Sequence, residues 1–92
     1  MTETYDIRLK RLKLRSMRRG IKEMDIILSG FARVHLSEMS DGQLDLYEKF
    51  LNENDQDLYQ WVSGQTVGDT QYEALINQIK LYLSSANWLF DI

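Results

Sequence analysis

The run Arg18-Arg19-Gly20-Ile21-Lys22-Glu23-Met24-Asp25 concentrates the chemistry of this chain. Its guanidinium groups can fork onto carboxylates or phosphates, and its carboxylates can accept hydrogen bonds. A glycine between them lets another backbone come close. Arg19 and Glu23 stand four residues apart, so in a continuous helix they would form an ordinary surface pair worth about 0.3 kcal/mol. Glycine inside a helix costs ~1 kcal/mol relative to alanine, so Gly20 reads instead as a break that ends one helix before the next begins.

Other chemistries find less support. There is one histidine, His35, and no cysteine, so no metal site is expected. On an apolar helix face His35 reads as a packed structural residue. No activated nucleophile can be named, so no catalytic residue is assigned. Gly64-Gln65-Thr66-Val67-Gly68 lacks the lysine and spacing of a phosphate loop and reads as a turn.

The charge distribution is lopsided. Residues 1–22 carry eight basic and two acidic side chains, a balance of +6, and residues 23–92 carry three basic and twelve acidic ones, a balance of −9. Arg8, Arg11, Arg15 and Arg18 recur at helical spacing and form one stripe. Such a stripe could track phosphates, which makes a small nucleic-acid-binding or regulatory domain the alternative function. A sequence pI near 5.0 and the acidic remainder oppose it. The same stripe could equally pair with this chain's own acidic helices.

The elements that must position these residues are helical. Ninety-two residues without proline or cysteine form one domain, 1–92, with an ordered core over about 6–86. A first helix is expected from near Asp6 to about Met17, with Ile7, Arg11 and Leu14 on one side and Leu9 and Leu12 flanking it. A second is expected from about Ile21 to Arg33, burying Ile21, Met24, Leu28, Phe31, Ala32 and His35. Glu23 lies roughly 110° from the centre of that face, on its margin, and Ile26 is nearly opposite it. Val34 to Met39 is a connection. Ser40 and Gln43 make a capping box for a third helix with Leu44, Tyr47, Phe50 and Leu51 inward. A fourth begins at Asn54-Asp55-Gln56-Asp57, turns Leu58, Trp61 and Val62 inward, and ends at Gly64. Thr70 and Glu73 form a second capping box, for a last helix carrying Leu75, Ile76, Ile79, Tyr82, Leu83 and Ala86. Trp88, Leu89 and Phe90 make the tail too apolar to stand alone. The fold class is all-α, a small five-helix bundle.

No run of ~18 apolar residues exists, so no membrane span is expected. Met1 to Asp6 is polar and acidic, unlike a secretory signal or a transit peptide. A bacterial cytoplasmic protein is expected, or a mitochondrial matrix protein if a transit segment is missing from this chain.

Arg11-Leu12…Arg15-Ser16-Met17-Arg18-Arg19-Gly20-Ile21-Lys22-Glu23-Met24-Asp25 resembles the signature of the succinate dehydrogenase flavin assembly factors, whose hallmark is Arg-Gly-x-x-Glu. A second block agrees. Leu44 to Leu51 reads Leu-Asp-Leu-Tyr-Glu-Lys-Phe-Leu, and Asn54 to Gly64 supplies the acidic turn, Asp57-Leu58, Trp61 and the closing glycine. Gln56 departs from the pattern, where proline is common. The resemblance covers about residues 8–85. It implies a five-helix bundle that acts as a chaperone-like factor and not as an enzyme. Such a factor binds the flavoprotein subunit of succinate dehydrogenase, or of the related fumarate reductase, and promotes covalent attachment of FAD to its histidine. The organic step belongs to the flavin, and the factor supplies orientation. Gly20 would let the partner backbone approach and Glu23 would orient a group near the flavin. Arg19 and Arg18 would pair with partner carboxylates, Arg15 and Arg11 would extend the patch, and Asp25 would cap or orient the surface. FAD belongs to the partner, with at most weak binding here. The free factor is expected to be a monomer.

Overall fold

The computed structural model describes residues 3–85. Five α-helices follow in order: α1 (Tyr5–Arg15), α2 (Lys22–His35), α3 (Asp41–Leu51), α4 (Asp55–Val62) and α5 (Glu73–Ser85). Single 3₁₀ turns, Leu36–Glu38 and Thr70–Tyr72, precede α3 and α5. Among the described residues there is no strand. The five-helix all-α architecture is the one the sequence predicts.

α2 is the central helix and touches α1, α4 and α5. Met24, Ile27, Leu28, Phe31 and Ala32 are all buried on it. Ile27 widens the expected face because a helix with neighbours on several sides buries a broader arc. His35 and Ile21 fall at its edges and are only partly buried. The Val34–Met39 connection is more ordered than expected: Val34 and His35 complete α2, and Leu36 and Met39 are buried. The hydroxyl of Tyr5 donates to the Met39 carbonyl at 2.8 Å, fastening the start of α1 to this connection.

Thr4 caps α1 by accepting from the Ile7 amide, so the helix starts one residue before Asp6. Only Leu9 and Leu12 are buried on α1, and Ile7 and Leu14 face solvent. The two flanking leucines are thus the inward pair, because the arginine side of α1 is turned onto α3. Ser16, just past the helix, is fully buried. Its hydroxyl donates to the Leu12 carbonyl and shares a 2.6 Å hydrogen bond with the Tyr47 hydroxyl. That bond gives a partner to a phenol with no exposed surface. Burial pushes the Tyr47 phenol up to about 12, with the Ser16 bond and Arg19 opposing.

The capping box on α3 forms as expected. Gln43 N–H donates to Ser40 Oγ, Ser40 N–H donates to Gln43 Oε1, and Leu44, Tyr47, Phe50 and Leu51 are buried. Leu58 and Val62 face inward on α4, and half-buried Trp61 packs against Phe50 and Tyr72. Gly64 has φ +83°, a left-handed stop. The amides of Gln65 and Gly64 donate to the Gln60 and Trp61 carbonyls, which completes a Schellman closure.

The second expected capping box is not formed. Asp69, one residue earlier, accepts from the Gln71 amide, and a 3₁₀ turn leads into α5. The Asp69 carboxylate also accepts from the Gln71 side chain, a second bond that a threonine hydroxyl at position 70 does not match here. Tyr72 is thereby buried, and its hydroxyl donates to Glu53 at 2.8 Å. α5 contributes Leu75, Ile76, Ile79 and Leu83 to the core, with Tyr82 half-buried. Ala86 and the Trp88-Leu89-Phe90 tail lie outside the described residues.

Candidate functional site

α1 runs out at Arg15, and the chain must reverse to start α2. Arg18 makes the reversal: it has φ +55°, and it is the left-handed non-glycine residue of the described chain. Gly20 does not adopt that conformation, so the turn itself does not explain the glycine. What lies against Gly20 is the Asp55 carboxylate. The Gly20 amide donates to Asp55 Oδ2 at 2.6 Å.

The same carboxylate holds Arg19. Arg19 Nε donates to Asp55 Oδ1 at 2.8 Å, and Nη2 lies 2.7 Å from that oxygen. Nη1 donates to the Arg15 carbonyl at 3.0 Å and Nη2 to the Leu51 carbonyl at 2.9 Å. Arg15 is the last residue of α1, Leu51 the last of α3, and Asp55 the first of α4. One guanidinium therefore joins two helix C-termini, whose last carbonyls lack intrahelical donors, to the N-terminus of a third helix, where a carboxylate is favoured. Its side chain is 11% exposed, and that of Asp55 is 18%. These are the acceptors of Arg19 within the chain. Nor does it pair with Glu23.

The basic stripe is likewise turned inward. Arg8 pairs with Asp45 and Glu48. Arg11 forks onto Glu48, with Nη1–Oε2 2.7 Å and Nη2–Oε1 3.1 Å, and also holds Glu3 at 2.7 Å. Arg15 donates to Asn52 and stands 3.7 Å from Glu48. The Arg11 hydrogen bond, helped by the charge of Arg8 and opposed by burial, holds the Glu48 carboxyl below its ordinary range. Arg11 lowers Glu3 in the same way. Arg11 and Arg15 therefore do not extend an open cationic patch, and the face that invited a nucleic-acid reading is largely matched by acidic partners on α3.

Open groups remain around the corner. Arg18 and Glu23 are exposed, Asp25 is partly exposed, and none of the three has a side-chain partner among the described residues. Glu23 and Asp25 sit in the first turn of α2, where Ile21 at the N-cap offers no side-chain acceptor. Their negative charge suits the positive end of that helix. Arg18, Lys22, Glu23 and Asp25 thus place mixed charge around the start of α2, beside the contacts of Arg19 and Gly20 with Asp55.

His35 is packed against Phe31 and Tyr82, with ring centroids 5.0 and 5.7 Å away, and Nδ1 is 3.2 Å from Glu38. Among the described residues no group of three or more His, Cys, Asp or Glu could hold a metal. Asp55 is the site residue that sequence reasoning misses. It was visible only as part of an acidic helix start, and nothing local ties it to a glycine 35 residues earlier.

Comparison with known proteins agrees with the geometry. A family model described as flavinator of succinate dehydrogenase matches residues 10–82. A protein named succinate dehydrogenase assembly factor 2, mitochondrial, from Meyerozyma guilliermondii is 46% identical over 61 residues, covering 66% of this chain and 45% of that protein. The protein of the same name from Candida glabrata is 46% identical over 63 residues, 68% of this chain and 41% of its own. The one from Schizosaccharomyces japonicus is 38% identical over 87 residues, 92% of this chain and 61% of its own. The chain thus spans about half the length of the curated relatives it matches. With the Arg-Gly-x-x-Glu corner formed inside a five-helix bundle and the family model matching most of this chain, the chain belongs to the succinate dehydrogenase flavinator family.

Proposed function

We propose that this protein is an assembly factor that binds the flavoprotein subunit of succinate dehydrogenase, or of the related fumarate reductase, and promotes covalent attachment of FAD to a histidine of that subunit. The observation that carries the reading is the exposed mixed charge at the start of α2, Arg18, Lys22 and Glu23 with partly exposed Asp25, beside the tied corner, in a chain of the flavinator family. The face is built for docking. The backbone that carries its charges runs between helix ends tied together by Arg19, so mainly the exposed side chains need ordering when a partner arrives. Arg18 and Lys22 offer cations to partner carboxylates, and Glu23 and Asp25 offer acceptors to partner donors. The factor would hold the partner in a reactive arrangement, and the flavin would supply the chemistry.

The free factor would act as a monomer, which light scattering on the purified protein checks. Its compartment would be the bacterial cytoplasm, with the mitochondrial matrix as the alternative, since the relatives are mitochondrial by name. No described helix is long and apolar enough to cross a membrane.

The test is co-expression with a succinate dehydrogenase flavoprotein subunit, followed by in-gel flavin fluorescence. The wild type raises covalent flavin, and Glu23→Ala lowers it without changing the fold. No rise with the wild type would refute the function. A rise that Glu23→Ala leaves intact would refute the role of Glu23.

A further inference from the structure

We infer that Asp55 is the positioning residue of the Arg-Gly-x-x-Glu corner, and that the need for glycine at position 20 is set by this carboxylate within the chain. The inference rests on the functional reading above only for its effect on the partner. The latch itself is a property of the free protein.

Three observations combine. First, Gly20 does not occupy the left-handed region, so its backbone would accept an L side chain. Second, the neighbour that a Cβ at position 20 would meet is Asp55 Oδ2, at 3.0 Å, closer than such contacts normally stand. Third, Asp55 is not free to swing away. Its other oxygen is held by the Arg19 guanidinium at 2.7–2.8 Å, and that guanidinium is itself fixed to the Arg15 and Leu51 carbonyls. A methyl group at position 20 would push on a carboxylate pinned at its far side. The displacement would pass to Arg19 and to the ends of α1 and α3. Because α2 begins at Lys22, two residues beyond Gly20, and carries Glu23 in its first turn, the docking face would move with it.

Chemistry makes the carboxylate specific. Both neighbours, the Gly20 amide and the Arg19 guanidinium, are donors, so both oxygens must accept. Asparagine has the same shape but turns an NH₂ toward one of the two donors. A packing role would tolerate Asp55→Asn, and a positioning role through two acceptors would not.

The experiment is a double-mutant cycle of Gly20→Ala and Asp55→Ala, with Asp55→Asn alongside. It is read as affinity for the flavoprotein subunit, covalent flavin yield, and hydrogen exchange of the Gly20 amide by NMR. Circular dichroism confirms helix content for each variant. Each single substitution is expected to lower affinity by roughly tenfold, the scale of one charge-assisted hydrogen bond. Gly20→Ala added to Asp55→Ala is expected to cost less than about twofold more, because the residue it collides with is gone. Asp55→Asn is expected to behave like Asp55→Ala, and both to speed exchange at Gly20 roughly tenfold. Additive losses in the double variant would overturn the inference in favour of a partner backbone approaching Gly20. A fully active Asp55→Asn with unchanged exchange would also overturn it. If the wild type fails to raise covalent flavin, the functional reading falls alone, and the exchange data on the free protein still decide the latch.

Discussion

Replacing Arg19 by glutamine should be among the most damaging single changes outside the apolar core. Glutamine can reach some of the same atoms, but it loses the charge and the three-way fork. The guanidinium makes two contacts to Asp55 at 2.7–2.8 Å and one each to the Arg15 and Leu51 carbonyls. Hydrogen bonds involving a charged group contribute about 1.5–3 kcal/mol when shielded. The helix-end carbonyls can recover part of this from water, so the net loss should be about 3 kcal/mol, far above the 0–1 kcal/mol of an exposed pair. For a chain of this size that lowers Tm by on the order of 15 °C. Arg19→Lys keeps the charge but not the planar fork, and about half of that loss is expected. Neighbouring Arg18, exposed and unpartnered among the described residues, is the control, and Arg18→Gln should change stability by under about 0.5 kcal/mol. Urea melts followed by circular dichroism give the values directly, with an unchanged m-value as the sign that the denatured state is the same. A loss for Arg19→Gln no larger than that of Arg18→Gln would refute the idea that this guanidinium ties three helices.

Three further outcomes follow from other contacts. Ser16→Ala strands the fully buried Tyr47 hydroxyl and should cost about 2 kcal/mol, whereas Ser16→Ala with Tyr47→Phe removes both partners and should be closer to wild type, a reversal that urea melts would detect. Stability should fall on the acid side: the folded-state pKa of Glu48 is depressed, so its contribution is present above the ordinary carboxylate range and is lost as pH drops through the lowered value. Glu48→Gln should flatten that acid limb in pH-dependent thermal melts. On the alkaline side Tyr47 and Tyr72 stay protonated up to about 12, while an unfolded tyrosine ionises near 10, so stability should decline between those values. Absorbance titration near the tyrosinate band should then show two of the five tyrosines titrating late in the folded protein.

Features carried by neighbouring residues were legible in the sequence. The Ser40–Gln43 capping box, the Gly64 stop and the inward faces of α3 and α4 each depend on spacings under eight residues, which helix geometry translates directly. Asp69 displaced Thr70 as the cap because two acceptors one residue apart compete, and the loop geometry decides between them. Ile27 lies outside the expected face because a single amphipathic stripe underestimates what a central helix buries. The arginines of α1 stand out in the sequence as a stripe, but composition alone does not say whether a charged face meets solvent or an acidic neighbour. The corner at residues 19–23 was located by its motif. Its support came from Asp55, Leu51 and the end of α1, which only the tertiary fold brings together.

The bond between Arg19 and Asp55 closes a loop of 36 residues containing all of α2 and α3. Closing it is entropically costly until the intervening helices have packed, so the bond belongs to the finished molecule and not to early folding. The arrangement of residues 18–25 would therefore exist only on chains that have completed their tertiary structure. A half-folded copy would lack the joined corner on which Arg18 and Glu23 stand. The latch thus makes the geometry of residues 18–25 a late product of folding, set only once α1, α3 and α4 have met.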